Sequence, residues 1–220
     1  MRLAEDVFLR ITSLENLFAA WDEFKSGKLS KVDVQRFEWQ LEPELFKLHR
    51  ELRSGRYRHG PYYSFALRDP KPRAIHKATV RDRIVHHAVF AVLNPLFEPS
   101  FYWGSFSCRV GKGTHRGVLA LEGILRRVSR NYTRPCFVLK CDIKKFFASI
   151  NHQILRSLLD KKVKDDRTRR LLQLLIDSFT THTHTHTHTH TNGCDQLDCQ
   201  SAISPHSFLL TSISTSSITL

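Results

Sequence analysis

No run of eighteen apolar residues interrupts the 220-residue chain, so the sequence holds no candidate membrane-spanning helix. The first residues, Met1-Arg2-Leu3-Ala4-Glu5-Asp6, carry acids where a secretory signal requires a basic start and an apolar stretch. A soluble, intracellular protein is therefore expected, cytoplasmic and with no membrane partner. Cysteines are few: Cys108, Cys136, Cys141, Cys194 and Cys199 are odd in number and form no C-x-x-C pair, which argues against a disulfide framework and a zinc knuckle. Acids are scarce too, with 21 Asp and Glu against 34 Lys and Arg. Beyond residue 170 there is no Lys or Arg at all.

What is present suits one globular domain or two small ones, since 41% of residues are hydrophobic, which rules out a wholly disordered chain. Residues 1–170 hold all 34 cations against 18 acids, a net +16. Such a surplus attracts polyanions by counterion release, nucleic acid being the commonest. A basic protein that is merely soluble is the alternative.

Apolar residues recur at three and four from Leu14 to Phe24, and again through Val34, Phe37, Leu41, Leu45, Leu48 and Leu52. Two amphipathic helices are predicted, the second bent by Pro43 and ended by Ser54-Gly55. Tyr62 to Leu67 reads as a strand, turned by Asp69-Pro70-Lys71-Pro72 into a second around Arg73-Ala74-Ile75. Thr79 followed by Asp82 marks a helix start, with Ile84, Val85, Ala88, Val89, Val92, Leu93 and Leu96 as its buried stripe until Asn94-Pro95 and Pro99 break it. His86 and His87 point about 100° apart on that helix, so joint metal binding is not expected.

Residues 101–117 mix aromatics, four glycines and three cations before a helix carrying Val118, Leu121, Leu125 and Val128. Gly113-Thr114 offers free amides at a helix start, so the loop either holds phosphate or is an ordinary basic turn; it lacks the P-loop pattern. Phe137 to Ile143 reads as a buried apolar strand ending on Asp142, and Asn151 caps a helix with Ile154, Leu155, Leu158 and Leu159. A carboxylate at the end of a buried strand is costly unless metal-bound or paired with a lysine, and both readings stand. One more helix carries Leu171, Leu172, Leu175, Ile176 and Phe179. Positions 181–191 then alternate Thr and His, and residues 191–220 contain 11 Ser or Thr. The alternating histidines offer loose Zn2+ or Ni2+ binding as one reading of the tail.

Three blocks, DPKPRAIHKATVRDRIVHHAVFAVLNPLFEP (69–99), SFSCRVGKGTHRGV (105–118) and FVLKCDIKKFFASINHQIL (137–155), together resemble bacterial reverse transcriptases of the group II intron and diversity-generating-retroelement type, over about residues 10–180. The resemblance implies an α+β fold, the fingers and partial palm of a right-hand polymerase, mostly helical with a small antiparallel sheet. The implied layout is an N-terminal helical region (1–60), fingers and partial palm (61–180) and a disordered tail (181–220). The implied activity is RNA-directed DNA polymerase with two Mg2+ ions, an RNA template, a DNA primer and dNTPs, and with a structured RNA or an accessory protein as further partners.

Residue by residue, Asp142 matches the first catalytic and metal-binding carboxylate, with the Ile143 carbonyl as a second metal ligand. Phe147, with Phe146 as neighbouring alternative, resembles the aromatic that crowds the sugar 2′-position. Arg73, assisted by Lys71, resembles the cation that grips the incoming triphosphate. Arg109, Lys112 and Gly113 match positions that contact template and primer backbone.

The family's aromatic-x-Asp-Asp pair is missing, and Lys164-Asp165-Asp166-Arg167 is a decoy expected to start a helix. The chain is therefore expected to be inactive alone, its alternative being a non-catalytic basic RNA-binding module. Thr-His alternation is also what an AC dinucleotide tract encodes, and such tracts slip. Residues 195–220, read two nucleotides later with permitted codons, yield a string with the Gly-x-x-x-Ser-Gln core of the family's next palm block. A reading frame interrupted by repeat slippage or by a sequence error is the expectation that follows.

Overall fold

A computed structural model describes residues 7–68, 72–107, 109–143 and 150–180, with side chains for all of these but 72–74 and 179–180. The predicted tail at 181–220 lies outside the described residues. Among those residues the chain is mostly helical, with one two-stranded antiparallel sheet.

A short helix, α1 (Val7–Thr12), opens the described chain and is an element the periodicity did not predict. Six residues are too few to show a repeat, yet Val7, Phe8 and Ile11 are all buried. The next helix, α2 (Leu14–Lys25), is capped by Ser13, whose hydroxyl accepts from the Asn16 amide. Asn16 in turn donates through Nδ2 to the carbonyls of Ile11 and Ala88, both at 3.0 Å, tying the start of the fold to a helix some seventy residues later.

The single bent helix expected over 34–52 is instead two, α3 (Val32–Glu38) and α4 (Leu41–Arg53), broken at Trp39-Gln40. Pro43 falls in the first turn of α4, where the missing N–H would have had no partner, so it needs no bend. Gly55, at φ +70°, reverses the chain after α4 while Arg56 and Tyr57 amides both donate to the Glu51 carbonyl.

Strands β1 (Tyr63–Arg68) and β2 (Pro72–Lys77) form the expected hairpin, with Phe65 opposite Ile75 and Leu67 opposite Arg73. Helix α5 (Val80–Phe97) starts on Thr79, whose hydroxyl accepts from the Asp82 amide. It runs through Pro95 instead of breaking there, because a proline in the last turn removes only one hydrogen bond, and the helix then tightens into a 3-10 turn at Glu98–Ser100. Helices α6 (Thr114–Val128), α7 (His152–Lys162) and α8 (Asp166–Thr180) complete the described elements. Asn151 caps α7 as expected, accepting from the Gln153 and Ile154 amides.

The core is built around α5. Ile84, Val85, Ala88, Val89 and Leu93 are buried against Leu17, Trp21 and Phe24 of α2, while Leu45, Leu48 and Leu52 of α4 and Leu172, Leu175 and Ile176 of α8 extend the same cluster. Each such side chain contributes about 1.5–3 kcal/mol by leaving water.

A further expectation is overturned. Residues 137–143 form no strand and are not buried: Phe137 is 96% and Leu139 88% exposed. The physical reason is the lack of a partner, since a strand gains its backbone hydrogen bonds only from a neighbour, and the sole described sheet pairs β1 with β2. Helix α6 shares the condition: it buries no residue, and its predicted stripe leaves Val118, Leu121 and Val128 open to solvent.

Candidate nucleic-acid interface

The loop from Phe101 to Gly113 is held by its own cations. Arg109 donates Nε to Glu98 at 2.8 Å and a terminal nitrogen to the carbonyls of Tyr102 (2.9 Å) and Ser105 (3.2 Å), with its guanidinium 5.4 Å from the Phe101 ring centre. Its side chain is only 9% exposed. Five donors in a planar fork suit this multi-sided grip, and the role the geometry displays is that of a staple for the loop. Lys112 closes the other side, donating Nζ to the Trp103 carbonyl at 2.6 Å and lying over Phe106.

Gly113 stands immediately before α6 at φ +95°, a conformation that penalises any Cβ, while its amide donates to the Phe106 carbonyl at 2.9 Å. With that amide used, the first-turn amides of α6 are the groups left to meet an anion. Tyr102 and Trp103 of the same loop stand half-exposed, ring centres 5.4 Å apart. Exposed aromatics and helix-start amides are both chemistry that nucleic acid uses, since bases stack on rings and phosphates accept from N–H groups. Composition alone hid the aromatic pair, although both residues lie in the predicted loop.

Asp142 and Ile143 lie exposed in the irregular segment at 137–143. Among the described residues no group of three or more His, Cys, Asp or Glu side chains could hold a metal ion. A two-ion Mg2+ centre needs at least two convergent carboxylates, and among the described residues Asp142 belongs to no cluster of three or more such ligands, so those residues do not by themselves complete that centre. Phe146, Phe147 and Lys71 lie outside the described residues. Arg73 is on β2, paired with Leu67, and its side chain also lies outside the description. The decoy acids behave as expected: Asp165 accepts from the Arg167 and Thr168 amides and starts α8.

A buried carboxylate does exist elsewhere. Asp82, expected only as part of a helix start, accepts from the Tyr57 hydroxyl (2.7 Å), the Gly60 amide (3.0 Å) and the Thr79 hydroxyl (2.6 Å). Those bonds fix the path from α4 into β1. Burial, reinforced by the Asp82 charge, pushes the Tyr57 hydroxyl well above the ordinary tyrosine pKa, so it stays a proton donor. Burial likewise pushes Tyr62 up to about 12. The hairpin is anchored separately, by Asp33 to Lys77 (3.1 Å) and to Arg83 of α5 (2.8 Å). Burial raises the Asp33 pKa, but Lys77 and Arg83 outweigh it and hold the carboxyl below its usual range.

The adjacent histidines face different partners. His86 stacks on His59, with Nε2 atoms 3.3 Å apart, whereas His87 lies 3.7 Å from Glu23. Burial lowers the His87 pKa against the opposing pull of Glu23.

No described helix is long and apolar enough to cross a membrane. No family model matches the chain. Among curated proteins, it is 27% identical to Protein YkfC of Escherichia coli K12 over 143 residues, which cover 64% of this chain and 37% of that protein. It is 31% identical over 98 residues to an uncharacterized 91 kDa protein in the cob intron of Schizosaccharomyces pombe, covering 44% of this chain and 11% of the relative. Over 134 residues it is 25% identical to the group II intron-encoded protein LtrA of Lactococcus lactis, covering 60% and 21%. The matched stretch thus spans well under half the length of these relatives. At low identity, the chain is related to group II intron-encoded proteins, which supports a reverse-transcriptase-related family of the intron type.

Proposed function

We propose that this chain is the fingers and first palm portion of an intron-type reverse transcriptase, and that by itself it binds RNA without copying it. The observation that carries the reading is the 134-residue similarity to an intron-encoded protein, overlaid on three sequence blocks in the family's order. In the intact family arrangement, Arg73 and Lys71 would grip the triphosphate of a dNTP, Phe147 or Phe146 would press on its sugar, and Arg109, Lys112 and Gly113 would lie along template and primer. Asp142 with the Ile143 carbonyl would hold one side of a Mg2+ site there. A second carboxylate must come from residues that this chain does not place beside it.

The non-catalytic half of the proposal has its own support. A net +16 over residues 1–170 favours a polyanion, and Tyr102 and Trp103 offer stacking surfaces. Filter binding of the intact chain to a structured RNA tests it. The expected result is affinity that falls steeply as salt rises, by about a thousandfold between 50 and 200 mM if some six phosphates are contacted. RNA that passes the filter unbound at low salt contradicts the proposal. The Gly-x-x-x-Ser-Gln string in the shifted frame favours the diversity-generating subtype, and sequencing the locus through the repeat decides it: an aromatic-x-Asp-Asp downstream in that frame is expected, and its absence overturns the subtype and the slippage together.

A further inference from the structure

Away from the loop at 101–113, the second half of α4 and the connection leaving it are rich in cations: Lys47, Arg50, Arg53, Arg56 and Arg58 fall within twelve residues that contain a single acid, Glu51. The fold gathers them. Lys47, Arg50, Arg56, Arg58 and, from the start of α5, Arg81 line an open cleft of about 540 Å3 together with Glu51. Glu51 is not free to neutralise it, because its carboxylate is engaged by Arg81, whose guanidinium also lies 5.3 Å from the Tyr57 ring centre. Arg56 is aimed by a bond from Nε to the Ser54 hydroxyl (3.1 Å), and Arg58 by one to the Tyr57 carbonyl (3.2 Å). Among the described residues no side-chain partner engages Lys47 or Arg50. Packing like charges into one concavity is unfavourable unless an anion neutralises them, and low-dielectric walls increase both effects.

Arg58 also lines a second cleft of about 410 Å3 on the other side of the same connection. That cleft has a different character. Its floor includes Phe8, Leu52, Tyr57 and Leu171, and its rim carries Arg53, Arg167 and Arg170. Arg167 is itself stacked 4.0 Å from the Phe8 ring centre. Two adjoining clefts, one predominantly basic and one apolar-floored with arginines above, match the two halves of a nucleotide: phosphate and base.

We propose that these paired clefts form a binding site for single-stranded RNA, with phosphates in the Lys47–Arg50–Arg56–Arg58–Arg81 cleft and a base against the guanidinium of Arg167, which covers the buried Phe8 ring. The site uses none of the residues in the 101–143 region and extends the RNA-binding half of the function proposed above, on which it rests. Arginine predominance favours phosphodiester over a bare counter-ion, since the guanidinium fork matches two phosphate oxygens at once. The cations outnumber what one small anion requires and continue from one cleft to the next, which points to a strand. A lipid surface would call for a flat or convex face with apolar side chains projecting outward, the reverse of a recessed floor.

The test uses the intact chain, a fluorescein-labelled oligouridylate as probe and anisotropy over a salt series. The variant Arg50→Gln/Arg56→Gln/Arg58→Gln changes three exposed side chains, and circular dichroism reports whether the fold is kept. A control, Arg10→Gln/Arg36→Gln/Lys161→Gln, removes the same charge from exposed positions elsewhere. The cleft variant is expected to bind at least tenfold more weakly, with a salt slope smaller by about two, because each single-strand phosphate contact contributes about 0.7. The control should stay within threefold of wild type. Equal losses in the two variants, or wild-type affinity in the cleft variant, overturn the site while leaving the chain an RNA binder. No binding by wild type overturns the RNA reading itself. Anionic phosphatidylserine vesicles form a third arm: binding to them that needs the three arginines, with oligouridylate binding unaffected, also overturns the proposal. If the cleft variant unfolds, Arg167→Gln removes the exposed guanidinium that covers the buried Phe8 ring and is expected to weaken oligouridylate binding severalfold; unchanged affinity there overturns the base half.

Discussion

The described chain divides into a part that buries its apolar residues and a part that does not. In the first, α2, α4, α5 and α8 enclose Trp21, Leu48, Ile84 and Leu175 to near-zero exposure. In the second, from Thr114 to Ile143, α6 presents a regular apolar stripe to solvent and Phe137, Val138 and Leu139 follow it outward. Both parts are equally well patterned, so amphipathic periodicity predicts a helix without saying whether its face is covered. An apolar helix stripe left open to solvent in this way is the kind of feature that interfaces cover.

The largest effect that tests this contrast is in the core. Trp21→Ala should cost about 3–5 kcal/mol in urea unfolding, whereas Leu121→Ala on α6 should change stability by no more than about 0.5 kcal/mol. Equal losses would dissolve the distinction. Next is Asp82, which sits in the well-packed part but carries three hydrogen bonds. Replacing it with Ala strands the Tyr57 hydroxyl and the Gly60 amide and should cost about 3 kcal/mol, with Asp82→Asn recovering part of it; a loss under 1 kcal/mol for Asp82→Ala would show that the α4–β1 path is held some other way.

A smaller effect concerns the anchor between hairpin and core. The Asp33 carboxyl is held low in the folded chain, so its contribution is fully present above the unfolded value of about 3.9 and is lost as pH falls through the lowered folded value. Because Asp33 is 40% exposed, solvent screening keeps that contribution near 1 kcal/mol. Wild type should thus exceed Asp33→Asn in Tm at pH 6 and match it near pH 2. A gap that persists at pH 2 contradicts the ion-pair explanation. The smallest global effect should come from Gly113→Ala, where φ +95° adds roughly 1 kcal/mol of local strain. Hydrogen exchange should quicken in the first turn of α6 while α5 amides stay protected, and slower exchange in that turn would count against it.

Much of the fold was legible in the sequence because its determinants are local. The Ser54-Gly55 stop, the Thr79 and Asn151 caps and the leucine spacing of α8 act over a few residues, and the structure follows each of them, as does the pairing of β1 with β2. Two of the errors share one cause, dependence on distant partners. Phe137–Ile143 has every local mark of a buried strand but no described neighbour to pair with, and α1 is too short to show periodicity yet is buried by α5 and α8. Of the site residues, Arg109 was located correctly in a basic loop, but only the geometry reveals that Glu98 and two carbonyls occupy its guanidinium. The cations of α4 were plain in the sequence and went unremarked, because one helix turn and a loop separate residues that only the fold brings to one cleft.

Primer extension tests the central claim most directly. With an RNA template, an annealed DNA primer, dNTPs and Mg2+, the purified chain should retain RNA in a binding assay yet add no nucleotide to the primer. Nucleotide incorporation that disappears in Asp142→Ala would contradict the account, since it would mean that this chain alone assembles a working metal centre around the exposed Asp142 carboxylate.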